Sequence, residues 1–230
     1  MHPPEEPMKR PDIRLYQEFG IIRTCRSEHT HMQPLFAHNL LLLSVLLASL
    51  LIWRVMEASV DIRTLKRLRA GARRQDKGSY AVLICLATLG IVLGTLLAFR
   101  VPATTITSAR TFLFWLGILL IYAGIGFRLY AIHVLGASFT TAVAVAPEQT
   151  VIEAGPYRLI RHPSYTGLLI TLLGLGLSLT NWLSLVVLMG CALIGLSYRI
   201  HVEERVLKAH LGQRYQEYMR RTKRLIPFVL

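Results

Sequence analysis

The sequence predicts an all-α, polytopic membrane protein with about five transmembrane helices, the last two forming a tight helical hairpin. Three observations carry this. Of 230 residues, 53% are apolar and only 17% are charged, against about a quarter charged in an ordinary soluble domain. The apolar residues collect into stretches free of Asp, Glu, Lys and Arg that are long enough to cross a bilayer core. The basic residues, which give a formal charge of +13, lie between those stretches, where they suit an anionic membrane face rather than nucleic acid.

The head over 1–34 is polar, with Pro3, Pro4, Pro7 and Pro11 and five basic against five acidic residues. This composition predicts a partly disordered segment and no signal peptide. Gln33 to Trp53 is the first charge-free run and Gly78 to Phe99 the second. With the loop between them they make a unit over 35–110. That loop, Asp61 to Lys77, holds seven basic residues and two acids. Thr111 to Phe127 begins the third span, which continues past Arg128 to about Leu135 and opens a third unit over 111–230.

The run Pro163 to Tyr198 holds 36 residues, roughly 54 Å of helix against a core of about 30 Å. It has to fold back on itself. Thr180-Asn181 is its most polar point, so the turn belongs there, giving short helices over about Tyr165 to Leu179 and Trp182 to Tyr198. The tail from Arg199 carries eight basic residues against three acids. With five spans, the basic loop, the connection from about Gly136 to His162 and the tail share one side, which the positive-inside rule makes the cytoplasm.

Three cysteines, Cys25, Cys85 and Cys191, have no paired spacing, and two lie in apolar runs, where a cysteine packs as a small hydrophobe. Neither HExxH nor a Cys/His cluster occurs, so no metal site is expected. Gly124-Ile-Gly126 and Gly174-Leu-Gly176 read as close helix packing, since no strand precedes them to make a dinucleotide loop.

Polar chemistry collects in two places. The first is Gly155-Pro156-Tyr157-Arg158-Leu159-Ile160-Arg161-His162-Pro163-Ser164-Tyr165, where Gly-Pro makes a turn and Pro163 pre-sets a helix start. The segment reads either as an interfacial anchor of aromatic and snorkelling side chains or as a site gathered at a helix N-terminus. The second is Tyr198-Arg199-Ile200-His201-Val202-Glu203-Glu204-Arg205. Arg199 and Glu203 share a helix face, as a surface ion pair or as ionisable groups turned into the bundle.

The ordered set Leu135-Gly136, Gly155-Pro156-Tyr157, Arg161-His162-Pro163-Ser164-Tyr165-Thr166-Gly167, Asn181-Trp182, Glu203-Glu204, Leu211-Gly212, Tyr215 with Tyr218, and Arg224-Leu225-Ile226-Pro227 resembles the isoprenylcysteine carboxyl methyltransferase family and its relatives, the phospholipid N-methyltransferases. The resemblance covers roughly Arg128 to Leu230. It implies a membrane methyltransferase with a cytosolic S-adenosylmethionine pocket closed by the C-terminal segment, and a lipophilic acceptor, small molecule or lipid, arriving from the bilayer. The unit over 111–230 would be the methyltransferase core.

Carried over by motif, the cofactor residues would be Gln149, Val151, Ile152, Tyr157, His162, Pro163, Ser164, Tyr165, Glu203 and Glu204. Many members have His where this chain has Gln149. The catalytic residues would be Arg199, which matches a position that handles the acceptor, and Glu203. Gly124-Ile-Gly126 resembles a Gly-x-Gly element of the phospholipid branch. An ionised carboxylate acceptor needs only orientation, for which Arg199 is suited; an amine acceptor needs a base, for which Glu203 or Glu204 is suited. Two rival readings are an NADPH-dependent membrane reductase of the sterol reductase type, which has similar C-terminal elements but usually more spans, and a non-enzymatic membrane scaffold.

Overall fold

The computed structural model describes residues 33–69, 73–74, 78–136, 139, 144–145 and 151–226. Gln149, Cys25, Pro227 and all of the head but its last two residues lie outside the described residues. The described residues form five α-helices: α1 (Leu40–Arg69), α2 (Ser79–Arg100), α3 (Arg110–Leu135), α4 (Pro163–Ser178) and α5 (Trp182–Arg221). The only regular strand structure among the described residues is a two-residue antiparallel pair, Arg73–Arg74 with Ala144–Val145. Helices α1, α2, α3 and α5 are long and apolar enough to cross a membrane, and α4 is a shorter apolar helix. The expected all-α membrane architecture of about five spans is therefore the observed one.

The first helix begins later than Gln33. A 3-10 turn, Leu35–His38, follows Pro34, and Asn39 then caps α1 by accepting from the amides of Leu41 (3.0 Å) and Leu42 (3.3 Å) through Oδ1. That side-chain cap supplies partners for amides that an apolar first turn leaves unmade. At its other end α1 runs on through Glu57 and Asp61 to Arg69, placing those two carboxylates one turn apart on a single face.

The reversal at Thr180-Asn181 is the expected one. Thr180 adopts a left-handed φ of 51°, and Asn181 Oδ1 accepts from the Ser184 amide (3.0 Å) and hydroxyl (3.1 Å) to start α5. Asn181 Nδ2 donates to the Val101 carbonyl (3.2 Å). The amide of Ile106 donates to the Thr180 carbonyl (2.9 Å). These bonds satisfy buried polar groups at the turn and pin the hairpin to the α2–α3 connection.

Helices α3 and α4 approach most closely through glycines spaced seven apart on each. A Cβ on Gly174 would fall 2.5 Å from the Gly117 carbonyl oxygen, and one on Gly124 would fall 2.6 Å from that of Gly167. Small residues let membrane helices pack backbone to backbone. Gly126 has open space, so only the first glycine of Gly124-Ile-Gly126 is a packing residue. Helix α2 packs on α5, where Gly90 faces Cys191. The outer face of α1, including Leu40, Leu47, Leu51, Val55 and Ile62, is exposed, as a lipid-facing surface would be.

Helix α5 holds 40 residues, about 60 Å. Its apolar stretch from Trp182 to Tyr198 accounts for about 26 Å, so Glu203 and everything after it projects beyond the bilayer. Gly212 (φ 59°, ψ −134°) breaks the helix and turns its last part, with Tyr215 and Tyr218, back toward the bundle.

Candidate active site

The segment that begins α4 is held by the chain's C-terminal end. Gly155, at a left-handed φ of 54°, opens a 3-10 turn over Gly155–Arg158 that buries Tyr157. Burial pushes the Tyr157 phenol well above its ordinary pKa, so it stays protonated. The Arg161 amide donates to the Lys223 carbonyl (2.7 Å), the Lys223 amide to the Leu159 carbonyl (3.1 Å), and the His162 amide to the Arg224 carbonyl (3.0 Å). The hydroxyl of Thr166 donates to the Leu225 carbonyl (2.7 Å) and that of Tyr218 to the Tyr157 carbonyl (2.8 Å). Residues some sixty positions apart are thus zipped together.

Beneath this lid Tyr165 joins the two polar collections seen in the sequence. Its hydroxyl donates to Glu203 Oε2 (2.6 Å) and accepts from Arg199 Nε (3.2 Å). The His162 ring stacks on Tyr165 with centroids 5.5 Å apart, and its Nδ1 lies 3.9 Å from Glu203 Oε2. Arg199, only 1% exposed, also donates through Nη1 to the Ser79 hydroxyl (2.6 Å). Burial of this kind sets Arg199 apart from a solvated surface cation.

Glu204 does different work from its neighbour. Arg161 Nε donates to its Oε1 (2.9 Å) and Arg224 Nη2 to its Oε2 (3.1 Å), while His162 Nε2 lies 3.5 Å away. Burial pushes the Glu204 carboxyl up, but His162 and the Arg161 guanidinium outweigh it and hold the pKa down at about 2. Arg161 also donates through Nη1 to the Met219 (3.1 Å) and Thr222 carbonyls. The Glu204 cluster therefore fastens the C-terminal end over the start of α4.

A second polar cluster went unnoticed in the sequence. Arg128, buried in α3, meets Glu57 of α1 through Nε–Oε1 (2.7 Å) and Nη2–Oε2 (2.8 Å), and donates through Nη1 to the Ser164 hydroxyl (2.7 Å) and carbonyl (3.1 Å). Trp53 Nε1 donates to Glu57 Oε1 (3.2 Å). One turn on, Asp61 Oδ1 accepts from the Tyr80 hydroxyl (2.6 Å). The available signal was a basic residue inside an apolar span together with two acids at i,i+4 just past another, since intramembrane charges are rarely left unpartnered.

These groups enclose a cavity of about 310 Å³, at the lower end of ligand-site volumes. Val151, Ile152, Tyr157, His162, Ser164, Tyr165, Arg199 and Glu203 line it, as do Arg128, Glu57, Asp61 and Tyr80. Pro163 and Glu204 are not among the lining residues. The lining includes the aromatic side chains of Tyr157, Tyr215, Tyr218 and Trp53, together with Leu168 and an apolar stripe along α2 formed by Leu83, Ile84, Ala87 and Ile91. A carboxylate and aromatic faces suit a polar, cationic ligand, and the stripe suits a hydrocarbon chain.

Residues 115–209 match the isoprenylcysteine carboxyl methyltransferase family. The chain is 33% identical over 120 residues to a probable protein-S-isoprenylcysteine O-methyltransferase of Oryza sativa subsp. indica, covering 51% of this chain and 63% of that one. Its identity to the protein-S-isoprenylcysteine O-methyltransferase of Saccharomyces cerevisiae is 36% over 116 residues, covering 50% of this chain and 48% of the yeast protein. The chain thus spans less than two thirds of the length of these relatives. A solved structure of a eukaryotic intramembrane Ras methyltransferase superposes with a TM-score of 0.52 at 24% identity, over 66% of this chain and 53% of that chain, which shows a shared fold. The resemblance read from the motifs over Arg128 to Leu230 is the one these matches display.

Proposed function

We propose, from the match of residues 115–209 to the isoprenylcysteine carboxyl methyltransferase family, that this integral membrane protein is an S-adenosylmethionine-dependent methyltransferase acting on the carboxylate of a prenylcysteine-like acceptor at the cytoplasmic membrane face. The observation that carries the reading is the Tyr165 hydroxyl, which joins Glu203 and Arg199 inside one cavity lined by polar, aromatic and apolar side chains. A phospholipid amine is the alternative acceptor.

The residues present fit the cofactor by their chemistry. Glu203 lines the cavity with only Oε2 engaged among the described residues, which leaves a carboxylate oxygen for ribose hydroxyls or a cationic group. Tyr157, Tyr165, Tyr215 and Tyr218 offer aromatic faces to a sulfonium or an adenine ring. The bound cofactor supplies an electrophilic methyl group on sulfur. His162 and Tyr165 fix the orientation of Glu203, and Val151 and Ile152 add apolar contact. Ser164, held by Arg128, sets the position of the α4 start, with Pro163 pre-forming its first turn. Glu204 acts as a fastener of the lid, and the motif adds Gln149, which lies outside the described residues.

The acceptor carboxylate is ionised at neutral pH, so the protein has no proton to remove. Arg199 orients it for in-line attack, and the lid excludes water, conditions under which proximity contributes several kcal/mol to the barrier reduction. The apolar stripe of α2 takes the acceptor's hydrocarbon tail. Arg73–Arg74 of the basic loop pair with Ala144–Val145 of the connection before α4, and Ile160 at the end of that connection pairs with Lys223, which supports placing these basic segments together in the cytoplasm.

Calorimetry with S-adenosylhomocysteine tests the cofactor assignment. The wild type should bind it and ignore NADPH, and Glu203→Gln and His162→Ala should each weaken it by about ten- to hundredfold, the equivalent of about 1.5 to 3 kcal/mol for a charge-assisted contact. Unchanged affinity in both variants would remove these residues from the cofactor site. NADPH binding in place of S-adenosylhomocysteine would favour the reductase reading.

A further inference from the structure

Helix α2 lies wholly outside the family-matched residues 115–209, yet its first two residues reach the site. Gly78 adopts a left-handed φ of 77° immediately before the helix, a conformation that glycine takes without strain. The turn delivers Ser79 and Tyr80 to Arg199. The Ser79 hydroxyl, fully buried, accepts from Arg199 Nη1 at 2.6 Å. The Arg199 guanidinium carbon lies 5.8 Å from the centroid of the Tyr80 ring, within the range of a cation–π contact. Tyr80 is itself held from the opposite side, since its hydroxyl donates to Asp61 Oδ1 at 2.6 Å. Tyr80 and Asp61 both line the cavity.

We infer that Ser79 and Tyr80 are positioning residues for the acceptor-orienting Arg199, with Asp61 of α1 locking Tyr80 in place. This rests on the methyltransferase reading above. A guanidinium has a single planar fork with which to present two parallel donors. Tyr165 holds Nε from α4, and each further contact narrows rotation of the plane about the side chain's last bonds. Ser79 fixes Nη1, and the Tyr80 ring limits movement of the plane. The pair therefore helps set the plane in which the guanidinium stands in the cavity.

The test uses the full chain in lipid nanodiscs, with Ser79→Ala, Tyr80→Leu, Tyr80→Phe and Asp61→Asn. Turnover is followed with labelled S-adenosylmethionine and a soluble S-prenylated cysteine, and donor-site integrity by S-adenosylhomocysteine affinity. Ser79→Ala and Tyr80→Leu should each lower kcat/KM for the acceptor by about tenfold, the size expected for losing one contact to a charged group. S-adenosylhomocysteine affinity should stay within about twofold. Tyr80→Phe keeps the ring and loses the Asp61 tie, so it should match Asp61→Asn and retain more activity than Tyr80→Leu. Should Tyr80→Leu fail to fold, Ser79→Ala and the Tyr80→Phe and Asp61→Asn pair decide. Acceptor kinetics unchanged in these variants, or donor-product affinity falling in step with turnover, would overturn the positioning role. A wild type that neither binds S-adenosylhomocysteine nor transfers methyl would overturn the methyltransferase reading itself, and this role with it.

Discussion

Replacing Glu57 with leucine should destabilise the protein far more than losing a surface ion pair would. Arg128 is 5% exposed and spends both Nε and Nη2 on the Glu57 carboxylate, at 2.7 and 2.8 Å. Among the described residues, the variant leaves that guanidinium buried with its Nη1 contacts to Ser164 alone. Breaking a buried pair from one side costs about 3 to 5 kcal/mol, because the surviving charge keeps its desolvation penalty and loses its partner. The Ser164 contacts persist, so the lower end, about 3 kcal/mol, is expected. Removing both charges in Glu57→Leu with Arg128→Met should recover much of the loss, giving a coupling of about 2 kcal/mol in a double-mutant cycle. Equilibrium unfolding in mixed micelles, followed by tryptophan fluorescence, measures each corner. Additive losses below about 1 kcal/mol per single variant would show that the pair is solvated and that α1 is not anchored through it.

Gly174→Val should cripple folding, since its Cβ would sit 2.5 Å from the Gly117 carbonyl oxygen, whereas Gly126→Ala, with nothing within 4 Å, should be neutral; thermal unfolding in detergent compares them. Glu204, held at about 2 against an ordinary 4.5, contributes stability that is complete above pH 4.5 and is lost as the pH falls toward 2. Glu204→Gln should therefore flatten the pH dependence of the melting temperature over that window, and an unchanged slope would assign the acid sensitivity elsewhere. Arg199→Ala should keep most S-adenosylhomocysteine affinity while losing turnover, and Arg199→Lys should recover only part of it because a point charge cannot reproduce the fork; full recovery in the lysine variant would contradict bidentate orientation. A cysteine placed in the basic loop at Arg69 should react with an impermeant reagent from the cytoplasmic side only, and labelling solely from outside would reverse the orientation.

Much of this was legible because the bilayer leaves few alternatives. Charge-free runs had to be spans, and a 36-residue run had to turn, which put the reversal at Thr180-Asn181 where the Asn181 cap is found. The charge-free run from Gln33 does not mark where α1 starts, because apolarity alone does not register a cap such as Asn39. At the site, the residue types of His162, Tyr165, Arg199 and Glu203 pointed to one another through their motifs. Glu203 and Glu204 looked equivalent in sequence, but their side chains leave a helix about 100° apart, so one lines the cavity and the other joins Arg161 and Arg224. Glu57 and Asp61 left only the trace of two acids at i,i+4 past an apolar run, and the contributions of Ser79 and Tyr80 left none. They depend on which helices are neighbours, and nothing in local periodicity encodes that the start of α2 meets Arg199 while α1 holds Tyr80.

The most direct test of the central claim is methyl transfer itself. Purified protein, labelled S-adenosylmethionine and a prenylated cysteine in nanodiscs should yield a labelled product whose methyl group is released by mild base, as a methyl ester requires. Label appearing in a base-stable N-methyl lipid instead would move the acceptor from carboxylate to amine. No transfer to any lipophilic acceptor, from a folded protein that binds and oxidises NADPH, would contradict the account.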